Sequence, residues 1–380
     1  MSAQTPPVIA LGQPTVGEPE LRAVAEVFAS GWLAGNGPTG SRFAAEFART
    51  VGAAHAVPVS NCTAALHLAV AALGAGPGDE VVVADYTFPA TGHAVVFTGA
   101  APVFADVRPD TATVDPAAVE AAITDRTVGI IAVDALGQCA DYTELQAIAA
   151  ARGLWLVEDA ACSTGATYRG RPAGVFGDAA CFSFHGRKGI TAGEGGALVT
   201  DRDDVAAQVR KSAAFGIESA LSRSGAADLP VPEFDEIGWN YKLSDIAAAI
   251  MLAQLDRLPD LVAARQAVAA GYAELLGDLE LVALPVTAPD RTHSWQSYVL
   301  TLDPSVSRGA VARELRARGV QCNFGTYASH LQPVYGPTAP CPVSADLFRR
   351  HLAIPMHANL TDDEVERVAT TVRDAVQASR

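Results

Sequence analysis

Short apolar segments recur through the first half of the chain, and helical patterns separate them. The segments are rich in Val, Ile and Leu and lack polar alternation, which is typical of strands buried on both faces. They lie at residues 80–84, 101–104, 128–133 and 154–157. The helical patterns lie at residues 88–97, 116–123 and 142–151. This alternation predicts an α/β fold with a largely parallel sheet and helices on both faces.

Two aspartates mark the starts of predicted helices. Asp115 and Asp141 each stand directly before a helical pattern, where a carboxylate can accept hydrogen bonds from the free N–H groups of the first turn. We therefore expect both residues to be N-caps.

The pattern changes in the second half of the chain. Two more strands and a long helix ending near Pro259 are followed by a strand and two helices. These elements are predicted at residues 179–184, 196–200, 243–258, 297–302, 308–318 and 361–378. A chain of 380 residues is too long for one simple core. We expect a large domain over residues 12–255, with a sheet of the seven-stranded type, and a smaller α+β domain over residues 256–380.

Composition limits the classes of function. Hydrophobic residues make up 49% of the chain and charged residues 18%, so a substantial core is expected and disorder is not. The formal net charge is −15, and the sequence contains no run of Lys or Arg that would form a basic segment. This argues against nucleic-acid and membrane-surface partners. It does not exclude an anionic substrate, because a pocket can be locally positive.

The cysteines and the N-terminus favour a cytoplasmic protein. No two of the six cysteines lie within four residues of each other, so zinc spacing is absent and reduced thiols are expected. The first seven residues are uncharged with no apolar core behind them, and no apolar run reaches the ~18 residues that span a bilayer. The histidines form no ligand motif, so no metal site is expected.

Asp159 is the first candidate for chemistry. It follows an apolar strand in the sequence VEDAA at 157–161, at the strand end where ligands bind in open α/β sheets. A carboxylate there can keep a pyridinium nitrogen protonated. Taken alone, a turn or N-cap aspartate is the commoner interpretation.

Lys188 is the second candidate. It lies in SFHGRKG at 183–189, between two predicted strands, and the Gly-rich GEGG at 193–196 follows it. Amine catalysis needs a desolvated, fixed lysine. A single loop lysine is usually a surface charge, so the combination of motifs carries the argument.

A phosphate site is predicted in VSNCTAAL at 59–66. A strand end runs into a helix start there, where free N–H groups and the helix dipole attract an anion. The Thr63 hydroxyl is an added donor. Ordinary N-capping by Ser60 or Thr63 is the alternative.

Together these motifs resemble the nucleotide-sugar aminotransferases of the DegT/StrS type, a branch of the fold-type I pyridoxal-phosphate (PLP) enzymes. The resemblance covers nearly the whole chain. It also includes GWLAG at 31–35, TFPAT at 87–91, GQ at 137–138, GWNYKLS at 238–244 and LAIPM at 352–356.

The resemblance implies roles for particular residues. Lys188 matches the lysine that holds PLP as a Schiff base, and Asp159 matches the partner of the pyridinium nitrogen. Asn240 matches a residue that reaches the phosphate of the neighbouring subunit, which implies a homodimer with shared active sites. The remaining cofactor-side matches are Thr63, Ala64, Phe88, Cys162 and Ser183. Plain core packing of Phe88 and a loop hydrogen bond of Asn240 are the alternatives.

Two positions depart from the family pattern. Cys162 stands where the family often has Gln near the phenolic oxygen of PLP, and Asp134 lies where it often has His. Cys is a poor donor, so the hydroxyl of Ser163 is expected to substitute. The departures bear on substrate choice more than on cofactor use.

The resemblance implies a ping-pong transamination. L-glutamate or L-glutamine would donate the amino group, and a keto sugar would accept it. The amine of Lys188 would move the proton, and its pKa would have to be lowered for this. In the part of the chain that closes over the acceptor, the substrate-side candidates are His293, Tyr327 and His330, with His185 beside the lysine; packing or surface roles remain open for each.

Three alternatives remain open. A cyclitol or another carbocyclic ketone is an equally suitable acceptor. A related PLP-dependent sugar dehydratase has His where this chain has Lys188. A catalytically silent regulator would have no need for Lys188, Asp159 and Thr63 together. Antibiotic-sugar, surface-polysaccharide and aminocyclitol pathways are all compatible with the sequence.

Overall fold

The computed structural model describes residues 7–217, 234 and 236–379. In chain order, the strands are β1 (His55–Val59), β2 (Glu80–Ala84), β3 (Tyr86–Thr87), β4 (Ala101–Ala105), β5 (Thr127–Val133), β6 (Trp155–Asp159), β7 (Thr167–Tyr168), β8 (Arg171–Pro172), β9 (Ala179–Ser183), β10 (Gly196–Thr200), β11 (Val282–Ala283), β12 (Arg291–Thr292), β13 (Tyr298–Leu302), β14 (Tyr327–Ala328) and β15 (His351–Ile354). The α-helices are α1 (Glu18–Ser30), α2 (Pro38–Val51), α3 (Cys62–Ala72), α4 (Ala90–Phe97), α5 (Pro116–Ala122), α6 (Tyr142–Arg152), α7 (Asp203–Ser212), α8 (Asp245–Asp256), α9 (Leu258–Leu276), α10 (Arg308–Ala317), α11 (Pro342–Arg350) and α12 (Asp362–Gln377). Among these described helices, none combines the length and apolar character needed to cross a membrane.

A seven-stranded sheet forms the centre of the first half of the chain. Its strand order is β1-β10-β9-β6-β5-β2-β4. The neighbours from β9 to β4 run parallel, and β10 is antiparallel to both β1 and β9. The reversal at β10 leaves β1 pointing the same way as the parallel strands. The predicted α/β fold with a largely parallel sheet is therefore confirmed.

Both faces of the sheet are buried, as the unbroken apolar strands predicted. Consecutive strand residues point to opposite faces. Val81 and Ile131 belong to a core shared with α3, α4 and α7, whereas Val82 and Ile130 belong to a core shared with α5 and α6. All four side chains are fully buried.

Most predicted elements are confirmed to within two residues at each end. The helix predicted at residues 243–258 is α8, which is two residues shorter than predicted at each end. The hydroxyl of Ser244 accepts from the N–H of Ala247 at 3.2 Å, so the helix begins only after this cap. Pro259 does not end the helical path but lies in the first turn of α9, where its missing N–H costs nothing.

The two predicted aspartate caps have different outcomes. Asp115 caps α5, because its carboxylate accepts from the N–H of Ala117 at 3.0 Å. Asp141 precedes α6 but makes no such bond; it pairs with Arg291 at 2.7 Å. The predicted side-chain cap is wrong there because a guanidinium forms the stronger, charge-assisted bond.

A second, three-stranded antiparallel sheet follows in the last third of the chain. Its order is β11-β13-β15, and it packs with α9, α10 and α12 around a separate core. Ile9 also joins this core, whereas Leu258 and Leu261 at the start of α9 belong to a core of the central sheet. The division at about residue 256 remains our proposal.

Two short ladders join the last third of the chain to the first half. β12 pairs with β7, and β14 pairs with β3. The second ladder places Tyr327 opposite Thr87, close to the segment after β2.

Candidate active site

The candidate residues converge on the carboxyl edge of the central sheet. Asp159 is the last residue of β6 and Ser183 the last of β9. Gly196, the first residue of the reversed strand β10, pairs with both Val59 and Ser183 at the same edge. This is the edge at which open α/β sheets bind ligands.

Asp159 is buried, with 4% of its surface exposed. One carboxylate oxygen accepts from the hydroxyl of Thr91 at 2.8 Å, and the other accepts from the N–H of Ala161 at 3.2 Å. Burial raises the pKa of Asp159, although Thr91, Ala161 and the charge of Lys188 act to lower it. The Ala161 contact is the local turn bond that the sequence allowed, and the Thr91 contact is a long-range partner.

Lys188 lies in a loop that backbone hydrogen bonds close. Its N–H donates to the carbonyl of His185 at 2.8 Å, and the N–H of Gly186 donates to the carbonyl of Gly193 at 2.9 Å. Arg265 of α9 donates to the carbonyl of Lys188 at 3.2 Å. The lysine backbone is therefore fixed, unlike that of an ordinary surface lysine.

The amine of Lys188 points toward the turn after β6. Its Nζ donates to the Sγ of Cys162 at 3.2 Å. Burial acts to lower the pKa of Lys188, but Cys162, Cys62 and Asp159 outweigh it, so the pKa is raised. In the chain without the cofactor, thiols and a carboxylate face the amine rather than a cation, and the lowered pKa that the reaction requires of the freed amine stays a prediction.

Asn61 caps the start of α3. Its side-chain oxygen accepts from the N–H of Ala64 at 2.8 Å, so neither Ser60 nor Thr63 takes the capping role that the sequence allowed. Because the N–H of Ala64 is already bonded, a phosphate at this helix start would rely on the N–H groups of Cys62 and Thr63 and on the Thr63 hydroxyl.

Gly196 allows β10 to pass close to the start of α3. A Cβ at this position would lie 2.6 Å from the nitrogen of Cys62 and 2.5 Å from the carbonyl carbon of Asn61. Only glycine tolerates this approach. The Gly-rich segment after Lys188 thus brings the lysine loop and the helix start to the same place.

The groups at this edge fit PLP. Burial raises the pKa of the Cys62 thiol at the start of α3; the charge of Asp159 raises it further and that of Lys188 lowers it. The helix start, the carboxylate and the amine therefore lie close enough to influence one another electrostatically. An amine for the aldehyde, a buried carboxylate for the ring nitrogen and a helix N-terminus for the phosphate match the three ends of the cofactor.

The substrate-side candidates Tyr327 and His330 lie near Phe88. Phe88 is 59% exposed, which rules out plain core packing, and its ring centroid lies 6.0 Å from that of Tyr327. His330 is held by Asp85 at the end of β2. The N–H of His330 donates to Asp85 at 2.6 Å, and its Nδ1 lies 2.7 Å from the other carboxylate oxygen.

The other two histidines have different surroundings. His185 is half-buried on the lysine loop, with its Nε2 3.8 Å from the carboxylate of Glu194. His293 is buried and stacks on Trp295 with ring centroids 3.9 Å apart. Burial lowers the pKa of His293 to about 3, so it is a neutral ring in a packed position.

Ser163 follows Cys162 and binds Asp134, so it connects the two positions that depart from the family pattern. Its hydroxyl donates to the carboxylate of Asp134 at 2.6 Å, and both residues are fully buried. The expectation that Ser163 substitutes for the missing amide donor is therefore wrong, because Asp134 engages its hydroxyl. Cys162 contacts Lys188 instead.

Asn240 lies on an exposed segment with apolar neighbours. Its side-chain oxygen accepts from Lys242, and the amine of Lys242 lies 4.2 Å from the ring centroid of Phe215. Phe215 and Trp32 are 47% and 40% exposed. The loop hydrogen bond considered as an alternative exists, but the side chains also present an amide and aromatic surface outward.

Three residues at the site were not assigned a role from the sequence. Thr91 bonds Asp159, Asp85 bonds His330, and Arg265 bonds the Lys188 carbonyl. Thr91 lies within a motif of the resemblance, which is the pattern that points to it. No local pattern points to Arg265.

Among the residues that the structure describes, two clusters each place three possible metal-ligand atoms within 4.8 Å of one another. They are Asp85 with His330 and Cys341, and Asp134 with Cys139 and Glu158. Sequence spacing does not reveal either one, because the members come from separate elements. Protein groups already hydrogen-bond Asp85 and Asp134, and the absence of a metal stays a prediction.

The sequence and the fold match those of known proteins over nearly the whole chain. Residues 14–373 match the model of the DegT/DnrJ/EryC1/StrS aminotransferase family. The spore coat polysaccharide biosynthesis protein SpsC of Bacillus subtilis (strain 168) is 36% identical over 376 residues, which cover 96% of each chain.

Solved structures share the fold over nearly their whole length. The aminotransferase TlmJ from Streptoalloteichus hindustanus has a TM-score of 0.92 and 35% identity, covering 98% of this chain and 99% of that one. DesV of S. venezuelae, solved with a ketimine intermediate, has a TM-score of 0.87 and 35% identity, with 95% and 94% covered. PseC of Helicobacter pylori, an aminotransferase involved in the biosynthesis of pseudoaminic acid, has a TM-score of 0.91 and 25% identity, with 98% and 100% covered.

Proposed function

Because the chain belongs to the DegT/DnrJ/EryC1/StrS aminotransferase family, we propose that it transfers an amino group from L-glutamate or L-glutamine to a keto sugar. The acceptor in this proposal is a nucleotide-linked keto-deoxysugar, and the product is an amino sugar. The names of the relatives support it, since SpsC concerns the biosynthesis of a spore coat polysaccharide and PseC the biosynthesis of pseudoaminic acid.

The juxtaposition of Lys188 and Asp159 carries the proposal. When bound, PLP supplies an electron-withdrawing ring that stabilises negative charge on the donor's α-carbon. Asp159 would hold the ring nitrogen protonated from a buried position that Thr91 fixes. The Nζ of Lys188 would hold the cofactor and then take the proton from the donor's α-carbon. Phe88 would cover the ring, and the start of α3 would bind the phosphate.

A positive side chain beside the lysine suits a donor that carries carboxylates. Arg187 is exposed and lines a cleft with Gln296, Asn323 and Phe324. Within the part of the chain that the structure describes, no carboxylate lies within 4.0 Å of its guanidinium. The ring centroid of Phe324 lies 5.0 Å from that of Tyr327, and the ring centroid of Tyr327 lies 6.0 Å from that of Phe88. In this proposal Arg187 binds a donor carboxylate.

A homodimer with shared active sites is part of the proposal. Asn240 is exposed on its own subunit, and Trp32, Phe215 and Ile237 are exposed as well, Ile237 at 88%. Exposed apolar side chains of this kind mark contact surfaces. Asn240 would then reach the phosphate site of the partner subunit.

We also place the enzyme in the cytoplasm. All six cysteines are unpaired, and all but Cys162 are buried. A reducing compartment keeps thiols in this state.

The experiment is a coupled turnover with a panel of acceptors. The PLP-loaded enzyme, with L-glutamate in excess, is given nucleotide-linked keto sugars, free keto sugars and cyclitol ketones, and aminated products are detected by mass spectrometry. An amino sugar nucleotide as the preferred product supports the proposal. If a cyclitol ketone is aminated in preference, the proposed acceptor is wrong but the proposed reaction type stands. Loss of water from a sugar without amination contradicts transamination.

A further inference from the structure

The end of β6 and the turn after it carry two groups of the candidate cofactor site, the carboxylate of Asp159 and the thiol of Cys162. Asp159 begins the turn, and Cys162, which contacts the amine of Lys188 at 3.2 Å, lies near its end. The position of this turn therefore sets the position of the carboxylate and of the lysine's contact together.

Asp134, directly after β5, holds the turn at both ends. Its N–H donates to the carbonyl of Asp159 at 3.0 Å. Its carboxylate accepts from the hydroxyl of Ser163 at 2.6 Å. One buried residue thus binds the first residue of the turn through its backbone and the residue after Cys162 through its side chain.

The side chain of Asp134 is itself fixed on its other side. Its second carboxylate oxygen accepts from the hydroxyl of Tyr142 at 2.8 Å and from the N–H of Ala140 at 3.0 Å. Burial raises the pKa of Asp134 to about 6, and burial together with the charge of Asp134 raises the pKa of the neighbouring Glu158. A carboxylate with this many buried donors has little freedom to move.

The carbonyl of Cys162 is held from a second direction. The hydroxyl of Ser294 lies 2.8 Å from the carbonyl of Cys162 and 3.0 Å from that of Gly137. The turn is therefore pinned to the segment after β5 on one side and to the segment before β13 on the other. Of these contacts, only the Ser163–Asp134 bond uses a side chain next to Cys162.

We propose that Asp134 and Ser163 are positioning residues. They hold the turn so that the thiol of Cys162 stays in contact with the amine of Lys188, and they fix the position of the Asp159 carboxylate relative to this thiol. The bond between Asp134 and Ser163 connects the two positions at which the chain departs from the family pattern, which are Asp134 and Cys162. Its role in catalysis rests on the proposed function, but its effect on Lys188 exists in the chain alone.

The test measures the titration of Lys188 in the full chain freed of PLP. Ser163→Ala removes the hydroxyl with little change in volume. Competitive labelling with acetic anhydride across pH, quantified by peptide mass spectrometry, reports the pKa of Lys188. The contact with Cys162 raises this pKa, so its loss should shift the titration downward by about half a unit or more. The affinity for PLP should fall about tenfold, the equivalent of one buried hydrogen bond.

Two further variants separate positioning from loss of stability. Ser163→Thr keeps the hydroxyl and should restore the wild-type titration. Thr371→Val removes a buried hydroxyl that bonds the carbonyl of Arg367 at 2.7 Å in α12, and it should leave the titration of Lys188 unchanged. If Ser163→Ala does not fold, Ser163→Cys is used instead. Its thiol is a weak donor, so the pKa of Lys188 should shift downward in this variant as well.

A folded Ser163→Ala protein with an unchanged Lys188 titration would overturn the proposal. An equal shift in Thr371→Val would also overturn it, because general loosening would then explain the effect. Neither readout uses an amino donor. Failure of the wild-type enzyme to accept any donor is thus a separate result that concerns the proposed function alone.

Discussion

Single residues at the site depend on partners that are distant in the chain. Asp159 is bonded by Thr91, which comes from α4, and the carbonyl of Lys188 is bonded by Arg265 from α9. The hydroxyl of Thr91 is also 2.8 Å from that of Thr87, which extends the chain of hydroxyls away from the carboxylate. Thr91 is therefore the side chain best placed to hold Asp159 ionised.

Thr91→Val should weaken catalysis without abolishing folding. The hydroxyl lowers the pKa of Asp159, so its removal should raise that pKa further. The acid limb of the rate–pH profile should then move to higher pH, and kcat near neutral pH should fall about tenfold. Rate–pH profiles of the variant, with Thr91→Ser as the control that keeps the hydroxyl, check this. A profile for Thr91→Val that overlays the wild type would show that Thr91 does not support Asp159.

Arg187→Gln should impair use of the amino donor. The loss of a charge-assisted bond to a carboxylate should raise the KM for L-glutamate at least about tenfold, while the spectrum of bound PLP stays as in the wild type. Steady-state kinetics measure both. Arg313→Gln, an exposed arginine of α10, is the matched control. An unchanged KM in Arg187→Gln would remove this residue from the donor site.

The sequence predicted the chemical residues better than their surroundings. Lys188 and Asp159 stand in motifs with recognisable strand and loop context, so their place at one sheet edge could be inferred. The direction of the Ser163 hydroxyl and the raised pKa of Lys188 could not, because both depend on which groups of other elements lie nearby. Asp134 and Cys162 are those groups.

At the scale of elements, the close passage of β10 against the start of α3 forms the end of the site at which we propose that the phosphate binds. Gly196 makes this passage possible, and Asn61 keeps the helix start in place. The loop of Lys188 ends where β10 begins, so the lysine and the helix start are linked through one strand.

Gly196→Ala should therefore damage cofactor binding and stability together. The added Cβ would lie 2.6 Å or less from the backbone of Asn61 and Cys62, so α3 or β10 must move. We expect a lower Tm and PLP binding weaker by about tenfold or more. Calorimetry and fluorescence titration measure these. Gly76→Ala, where a Cβ would meet no atom within 4 Å, should change neither, and a wild-type affinity in Gly196→Ala would contradict the close packing.

The sequence predicts an element correctly where the burial of the segment agrees with the spacing of its apolar residues. The unbroken apolar strands β2 and β5 were found because both faces of the sheet are covered. The sequence pattern does not predict helix α9, because Pro259 is compatible with a helix end as well as with the first turn of a new helix. The long-range order of the strands, with the reversed β10 between β1 and β9, follows from tertiary packing that no local pattern encodes.

At the scale of the whole molecule, the proposed shared active sites predict complementation between subunits. Lys188→Ala should lose its own amine, and Asn240→Ala should weaken the partner's phosphate site, so each homodimer should be impaired. A mixed dimer would contain one site with both residues intact. Co-refolding equal amounts should restore about a quarter of wild-type activity.

Activity in the mixture is measured against each variant alone. Recovery well above the sum of the two variants is the expected result. An Asn240→Ala homodimer that is fully active, or a mixture with no gain over its parts when mixed dimers are present, would contradict shared sites. Sedimentation of the wild type should independently give a mass of twice 39.3 kDa.

The central claim is that this chain is an aminotransferase that works through Lys188, and a single half-reaction tests it most directly. The PLP-loaded enzyme is mixed with L-glutamate, then in turn with L-glutamine and other amino acids, without any acceptor, while the visible spectrum and 2-oxoglutarate are followed. We predict that the pyridoxal band fades as the pyridoxamine band grows, with about one 2-oxoglutarate per subunit from L-glutamate and no conversion by Lys188→Ala. Bound PLP that no common amino acid converts, or equal conversion by Lys188→Ala, would contradict the account.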